Sequence, residues 1–198
     1  MSRRRPAGEA TVRKATFSLA VLAAAFALFY GAPAAARTDP AQVSLVDQSG
    51  ANFRIADLTG HPAIITFVAT RCTDACPIAN AMFSRLQTRL AHDRMRVMLL
   101  TITLDPAYDS PFVMGRTAQQ YGANARTWRF VSGQAGNVRE VMSAFGVVAT
   151  PDKHGIPEVH SSFVYVLDSH GRLARTLMLS SNLADDATAL LRGPHAVR

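Results

Sequence analysis

Length, composition and charge exclude several classes of protein. The chain has 198 residues, of which 48% are hydrophobic and 18% are charged, so it can form one packed domain and is too apolar for a disordered protein. Its only cysteines are Cys72 and Cys76, which excludes a disulfide-stapled mini-protein and a four-cysteine zinc site. Residues 1–36 contribute +4 of the formal net charge of +7, and the remaining basic residues are scattered. We therefore expect no nucleic-acid partner.

Residues 1–36 have the three parts of an export signal. A positively charged start precedes an uncharged run over 15–36 that is most apolar up to Tyr30. The small residues that close this run predict cleavage after Ala36 and export through the Sec route. A membrane anchor that is never cleaved is the alternative, since the apolar run approaches the ~20 residues that span a bilayer. In both cases the folded part is expected in the periplasm or another extracytoplasmic space.

After a loose linker at 37–42, the chain alternates apolar strands with amphipathic helices. Continuous β-branched runs predict strands buried on both faces, and apolar residues spaced three and four apart predict the helices that cover them. In chain order, the predicted elements are a hairpin at 43–55, a strand at 63–68, a helix from 77 to about 90, a strand at 96–104, a helix from 111 to about 121, a strand at 129–131, a helix at 138–145, a loop at 151–157, paired strands at 162–167 and 173–179, and a last helix after 182.

This order predicts an α/β domain over 43–198 with a thioredoxin-like three-layer α/β/α fold and an N-terminal β-hairpin extension. Strands that alternate with helices form a layered sheet with right-handed crossovers, and a closing hairpin followed by a helix completes the thioredoxin-like order. In such a fold, the loop after the first long strand faces the loop before the closing hairpin. Cys72 and Cys76 lie on the first loop and His160 on the second, so we expect them side by side.

The spacing of Cys72 and Cys76 leaves three chemical roles open. Two cysteines four apart at a helix entrance can lie within disulfide distance, and a helix N-terminus favours the thiolate that attacks disulfides or binds metals. A purely structural disulfide would close a very small loop and would stabilise the fold little. Redox exchange and metal binding are therefore the main hypotheses, and Arg71 beside Cys72 would favour thiolate in both.

Together with His160, the two cysteines form a soft set of three ligands. Such a set suits Cu(I), or Cu(II) with one further weak ligand, whereas zinc would normally take a fourth protein ligand or a water. From the sequence alone, His160 is as readily a structural histidine as a ligand. His154 is the one other histidine that could add a fourth ligand, and the remaining histidines are expected to be solvated.

Three segments carry these residues in a recognisable order. They are a C-x-x-x-C-P box at 72–77, a D-P-x-x-D segment at 105–109, and a histidine followed by an apolar strand at 160–167. In this order they resemble the Sco/SenC family, the copper chaperones of cytochrome c oxidase assembly. With weaker similarity upstream, the resemblance covers about residues 43–191.

The resemblance implies that Cys72, Cys76 and His160 bind copper as Cu(I), Cu(II) or both. It further implies a metallochaperone, rather than an enzyme, that delivers copper to the CuA centre of cytochrome c oxidase subunit II or keeps the thiols of that centre reduced. Asp105 corresponds to a family position near the site, although an aspartate before proline is also a common turn residue. The residues around the first cysteine differ from those usual in the family, which leaves the client protein open.

Two further functions would use the same cysteines. An extracytoplasmic thiol–disulfide oxidoreductase would need the redox-active pair Cys72 and Cys76 but not His160, although thioredoxin motifs usually have two residues between their cysteines. A peroxide-reducing enzyme would need one low-pKa cysteine in a supporting pocket, for which Thr70 and Arg71 are the neighbours in sequence. Dependence of copper binding on His160 distinguishes the chaperone from the oxidoreductase.

Overall fold

The computed structural model describes residues 39–159 and 163–192. The predicted leader at 1–36, His160 and the last six residues lie outside this part of the chain. Within the two described ranges, no helix is both long enough and apolar enough to cross a membrane.

The described part of the chain contains nine strands, four α-helices and two short 3-10 turns, at Pro40–Gln42 and Ile55–Leu58. In chain order, the strands and helices are β1 (Leu45–Asp47), β2 (Asn52–Phe53), β3 (Ala63–Val68), α1 (Ala75–His92), β4 (Met98–Thr103), α2 (Pro111–Gln120), β5 (Trp128–Ser132), α3 (Ala135–Ala144), β6 (Ala149–Pro151), β7 (Pro157–Val159), β8 (Phe163–Leu167), β9 (Leu173–Met178) and α4 (Leu183–Arg192).

Seven strands form one mixed sheet in the order β2-β1-β5-β4-β3-β8-β9. The central strands β3, β4 and β5 are parallel, whereas β1 and β8 run antiparallel to their central neighbours. Every residue of β3 is buried, because the strand lies in the middle of the sheet with helices over both faces. The predicted N-terminal hairpin is β1 with β2, which extends one edge.

Two hydrophobic layers enclose this sheet, one on each face. Ile65 of β3 packs in a cluster with Val141 of α3 and with the second 3-10 turn. The adjacent Ile64 points to the opposite face, where it packs with apolar residues of α1, α2 and α4. The predicted three-layer α/β/α architecture is therefore confirmed.

The loops of the candidate site lie together along one edge of the sheet, the edge at which the parallel strands end. Because β3 and β4 are parallel, the loop at 69–74 and the loop at 104–110 leave the sheet at the same edge. β8 is antiparallel to β3, with Tyr165 opposite Ile65. The chain therefore begins β8 at this same edge, beside the loop that bears the cysteines.

Three local features differ from the prediction. The helix expected from Pro77 begins at Ala75, which places Cys76 in its first turn. The segment predicted as a loop forms the separate hairpin β6–β7, whose last pair consists of Pro151 and Pro157. Prolines lack the N–H that a ladder needs, so they end this hairpin and also hide it from sequence patterns. The predicted linker ends in the ordered 3-10 turn that precedes β1.

Candidate functional site

Cys72 and Cys76 are both tied to the backbone of one residue, Ala69. The N–H of Cys72 donates to the carbonyl of Ala69 at 3.1 Å. The Sγ of Cys76 accepts the N–H of Ala69 at 3.4 Å. Both cysteines are buried, with 8% and 6% exposure, and both are free thiols. The loop after β3 and the first turn of α1 thus bring the two thiols together without a disulfide.

Burial makes the thiol of Cys76 a poor acid. Desolvation, with a smaller contribution from the neighbouring thiol of Cys72, raises the pKa of Cys76 to about 12, although the hydrogen bond from the N–H of Ala69 opposes the shift. The expectation that the helix N-terminus lowers the pKa is therefore wrong for Cys76. A helix terminus stabilises a thiolate only modestly, and here the loss of water around the sulfur outweighs it.

Arg71 is directed at a carboxylate rather than left free beside Cys72. Its Nη2 and Nε donate to one Oδ2 of Asp105 at 2.6 and 3.1 Å, and its guanidinium lies 4.6 Å from the ring centroid of Tyr108. The hydrogen bonds that Arg71 donates to Asp105 raise the pKa of Arg71. The charge of Arg71 is therefore paired with Asp105 and is not directed at the thiols.

Asp105 acts both as a turn residue and as a side chain of the site. Its carbonyl accepts the N–H of Tyr108 at 3.0 Å and the N–H of Asp109 at 2.8 Å, which forms the turn. Its carboxylate holds Arg71, and its own N–H donates to Oγ1 of Thr103 at 2.8 Å. The two roles proposed for this position from the sequence are thus compatible.

Asp109 is the most deeply buried acid of the site, and it fixes the loop before the cysteines. Its carboxylate accepts the N–H of Thr70 at 3.2 Å, the hydroxyl of Thr70, and the hydroxyl of Thr103 at 2.6 Å. Burial raises the pKa of Asp109, and the threonine hydrogen bonds oppose that rise. We call Thr70, Arg71, Thr103, Asp105 and Asp109 the polar cluster.

The polar cluster contains residues that the sequence did not single out for this role. From the sequence, Thr103 lies in a predicted strand just before the D-P-x-x-D segment, and Asp109 ends that segment just before a predicted helix. Polar residues at the carboxyl ends of two parallel strands were the available signal, because those ends meet at one edge of a sheet. The cluster also weakens the peroxidase hypothesis, since Thr70 and Arg71 are engaged by carboxylates and do not form a pocket for a reactive thiolate.

His160 lies outside the described residues, and the structure locates only the strand that follows it. That strand, β8, begins at Phe163, beside the edge where β3 ends. His154 is exposed at the turn of the β6–β7 hairpin, where its N–H donates to Asp152. In the described part of the chain, no three histidine, cysteine or acidic residues form a group that could hold a metal ion.

The three-layer fold and the close cysteine pair at the edge of its central strands define a thioredoxin-like protein with a C-x-x-x-C site. A family model described as SCO1/SenC matches residues 34–192. The chain therefore belongs to the SCO1/SenC family.

Relatives and solved structures agree with this assignment. The SCO2-like protein of Rickettsia prowazekii is 29% identical over 142 residues, which cover 68% of this chain and 67% of the relative. The structure of Bradyrhizobium japonicum ScoI with copper bound is 25% identical and has a TM-score of 0.65, over 76% of this chain and 96% of that one. The fold also matches BsSco, described as a Sco-family cytochrome c oxidase assembly protein with a disulfide switch, with 21% identity and a TM-score of 0.68 over 78% and 92% of the two chains.

Proposed function

We propose that the chain binds copper as cargo through Cys72, Cys76 and His160. The observation that supports this most is the pair of free thiols tied to Ala69, at the edge where the segment after His160 joins the sheet. Two sulfur ligands and one imidazole match the preference of Cu(I) for soft, low-coordinate sites. Cu(II) would fit the same set with one further weak ligand.

The buried site suits a cargo that must be held and then released. Thiols bind a metal only after losing their protons. With a pKa near 12, Cys76 is protonated at neutral pH, so copper has to displace its proton. The polar cluster holds the loop through Thr70 and Arg71, so the sulfur atoms need not organise the backbone. Binding is thus coupled to proton release at Cys76 rather than to rearrangement of the loop.

The client that we propose is the CuA centre of cytochrome c oxidase subunit II. Copper bound to B. japonicum ScoI and the assembly role stated for the Sco family of BsSco support this choice. The chain would either deliver copper to that centre or keep its thiols reduced. An export leader at 1–36, cleaved or retained as an anchor, would place the domain on the extracytoplasmic side of the membrane where such a client is exposed.

Thiol–disulfide exchange is the second candidate function. Two reduced cysteines that share the residue Ala69 through hydrogen bonds need little movement to form a disulfide. The disulfide switch described for BsSco supports this alternative. It requires Cys72 and Cys76 and makes no demand on His160.

A Cu(I) titration against a competing chelator tests the copper proposal. The full chain, reduced and free of oxygen, should bind one equivalent. The His160→Ala variant should bind Cu(I) at least roughly 10- to 100-fold more weakly, since loss of a group that only supports a metal ligand already costs this much affinity. His154→Ala is the matched control, because this exposed histidine lies at the turn of the neighbouring hairpin, and it should bind like the unmodified chain. Equal affinity in both histidine variants would reject His160 as a ligand and favour thiol exchange.

A further inference from the structure

A polar cleft of about 700 Å³ lies directly beside the cysteine loop. Thr70 and Arg71 form its wall on the loop side, and the outer face of α2 forms the opposite wall. Because Arg71 immediately precedes Cys72 in the chain, anything bound in the cleft lies within a few residues of the thiols. Neither the copper site nor the polar cluster uses the α2 side of this cleft.

The cleft contains one guanidinium whose charge is not balanced. Arg71 is paired with Asp105, which cancels its charge. Arg116, on α2, is exposed and has no ion pair or hydrogen bond within residues 39–159 and 163–192. Among the described residues that line the cleft, none is acidic. Arg116 is therefore the guanidinium of the cleft that remains free for a ligand.

The side chains around Arg116 suit a carboxylate. Gln119 and Gln120 add amide donors to the guanidinium, whereas the hydroxyl of Thr117 already donates to the carbonyl of Val113. A planar guanidinium matches the two oxygens of a carboxylate. A single uncompensated cation fits a monoanion better than a doubly charged phosphate.

Large apolar side chains beside the cleft indicate that the ligand belongs to a polypeptide. Tyr108, which lines the cleft, is 49% exposed, and Phe112 in the first turn of α2 is 72% exposed. Exposed aromatic residues next to an arginine are typical of surfaces that bind another protein chain. A free small carboxylate would leave both rings uncovered.

We propose that this cleft binds a carboxylate side chain of the polypeptide whose cysteines meet Cys72 and Cys76, with Arg116 as the principal contact. The identity of that polypeptide as a thiol client rests on the proposed function. The carboxylate would hold the client beside the thiols and would favour acidic cysteine-bearing segments over neutral ones.

Reaction with short activated peptides tests the proposal on the full reduced chain. Each peptide contains one cysteine as its 2-pyridyl disulfide and one glutamate placed one, two or three residues away, and a glutamine peptide matches each. A protein thiol, after losing its proton, forms a mixed disulfide with the peptide sulfur. The pyridyl sulfur leaves with the electron pair, takes up the proton and is released as 2-thiopyridone, whose absorbance gives the rate.

The glutamate peptide should react about two- to fivefold faster than its glutamine partner for at least one spacing, as expected for one exposed ion pair. The Arg116→Ala variant should lose this preference. Arg126→Ala is the matched control and should keep the preference. Arg126 is also an exposed arginine, but it precedes β5 at the end of the sheet where the parallel strands begin, away from the cysteine loop. Equal rates for each peptide pair, no reaction with any peptide, or an equal effect of the two substitutions would overturn the proposal.

A Cu(I) titration of Arg116→Ala separates this inference from the proposed function. The variant should bind one equivalent of copper like the unmodified chain, because Arg116 is not a ligand. Peptide preference without copper binding in the unmodified chain would support the cleft and reject the copper site. Copper binding without peptide preference would do the reverse.

Discussion

The polar cluster and the cysteine pair meet at the same loop, but their side chains differ in how many hydrogen bonds they make. Four hydrogen bonds fix Thr70 to Asp109 and Arg71 to Asp105, and Thr103 donates a fifth to Asp109. The sulfur atoms of the two cysteines, a few residues further on, take one backbone hydrogen bond, from Ala69. The carboxylates thus fix where the thiols lie, and the sulfur atoms remain available to a ligand.

Replacing both cysteines with serine should have the largest effect on function and a small effect on folding. Serine fills nearly the same space as cysteine but is not a soft ligand for copper. We expect Cu(I) binding in competition with a chelator to be lost, while the midpoint of thermal unfolding moves by only about 2–4 °C, the size expected for ~1 kcal/mol in a domain of this length. One equivalent of tightly bound copper in this variant would place the copper site elsewhere.

The affinity for copper should depend on pH through the thiol of Cys76. Because Cys76 is protonated well above neutral pH, copper must displace its proton. We expect the Cu(I) affinity to rise about tenfold per pH unit for each proton displaced. Chelator competition measures this slope of affinity against pH. The range runs from roughly pH 6 to 9, because an ordinary thiol begins to ionise near the upper limit. Cys76→Ser should reduce it by about one proton, and an unchanged slope would show that Cys76 does not bind.

Loss of the Asp109 carboxylate should destabilise the fold. Asp109→Ala removes the acceptor for Thr70 and Thr103, and we expect a loss of roughly 2–4 kcal/mol in the free energy of unfolding, typical of a broken buried network. Asp185→Ala is the control, because Asp185 pairs with Arg89 on the surface and should cost below about 1 kcal/mol. Denaturant unfolding gives both values, and equal costs would contradict the role of Asp109.

Alkaline pH should destabilise the chain through Cys76. Its pKa in the folded state lies above the ordinary value of 9.0, so the folded chain binds the thiol proton more tightly than the unfolded chain does. The stability from this group is fully present below pH 9 and is lost as the pH rises toward about 12. Unfolding in denaturant should show this loss, and Cys76→Ser should lack it.

The smallest effect is expected for Arg71→Lys. Lysine keeps the charge opposite Asp105 but loses the forked hydrogen bond and the contact with Tyr108, so the cost should stay below about 1 kcal/mol. Because Arg71 is paired with Asp105, the rate at which the thiols react with an uncharged disulfide should change less than about twofold. This is the size of effect expected from the weakest exposed ion pairs. A large fall in that rate would show that Arg71 activates the thiols after all.

Much of the fold could be predicted because its signals are local. The unbroken apolar run of β3 and the Ser110-Pro111 start of α2 are readable in a few residues, and the structure confirms both elements. The β6–β7 hairpin was missed because its end prolines resemble a loop. Local sequence therefore identified each long element and failed where the pairing partner decides the structure.

The site was predictable only in part, for the same physical reason. The spacing of Cys72 and Cys76 shows that two thiols can meet, and they do. The raised pKa of Cys76 depends on how completely the fold excludes water, and the partner of Arg71 is Asp105, which lies on a different strand end. Burial and distant pairing decide the electrostatics, and a sequence window contains neither.

X-ray absorption at the copper edge of the Cu(I)-loaded full chain identifies the atoms that bind the metal. We expect two sulfur atoms and one nitrogen atom around copper, with the nitrogen lost in His160→Ala and retained in His154→Ala. A shell of sulfur alone in the unmodified chain, or a nitrogen that persists without His160, would contradict a copper site built from Cys72, Cys76 and His160.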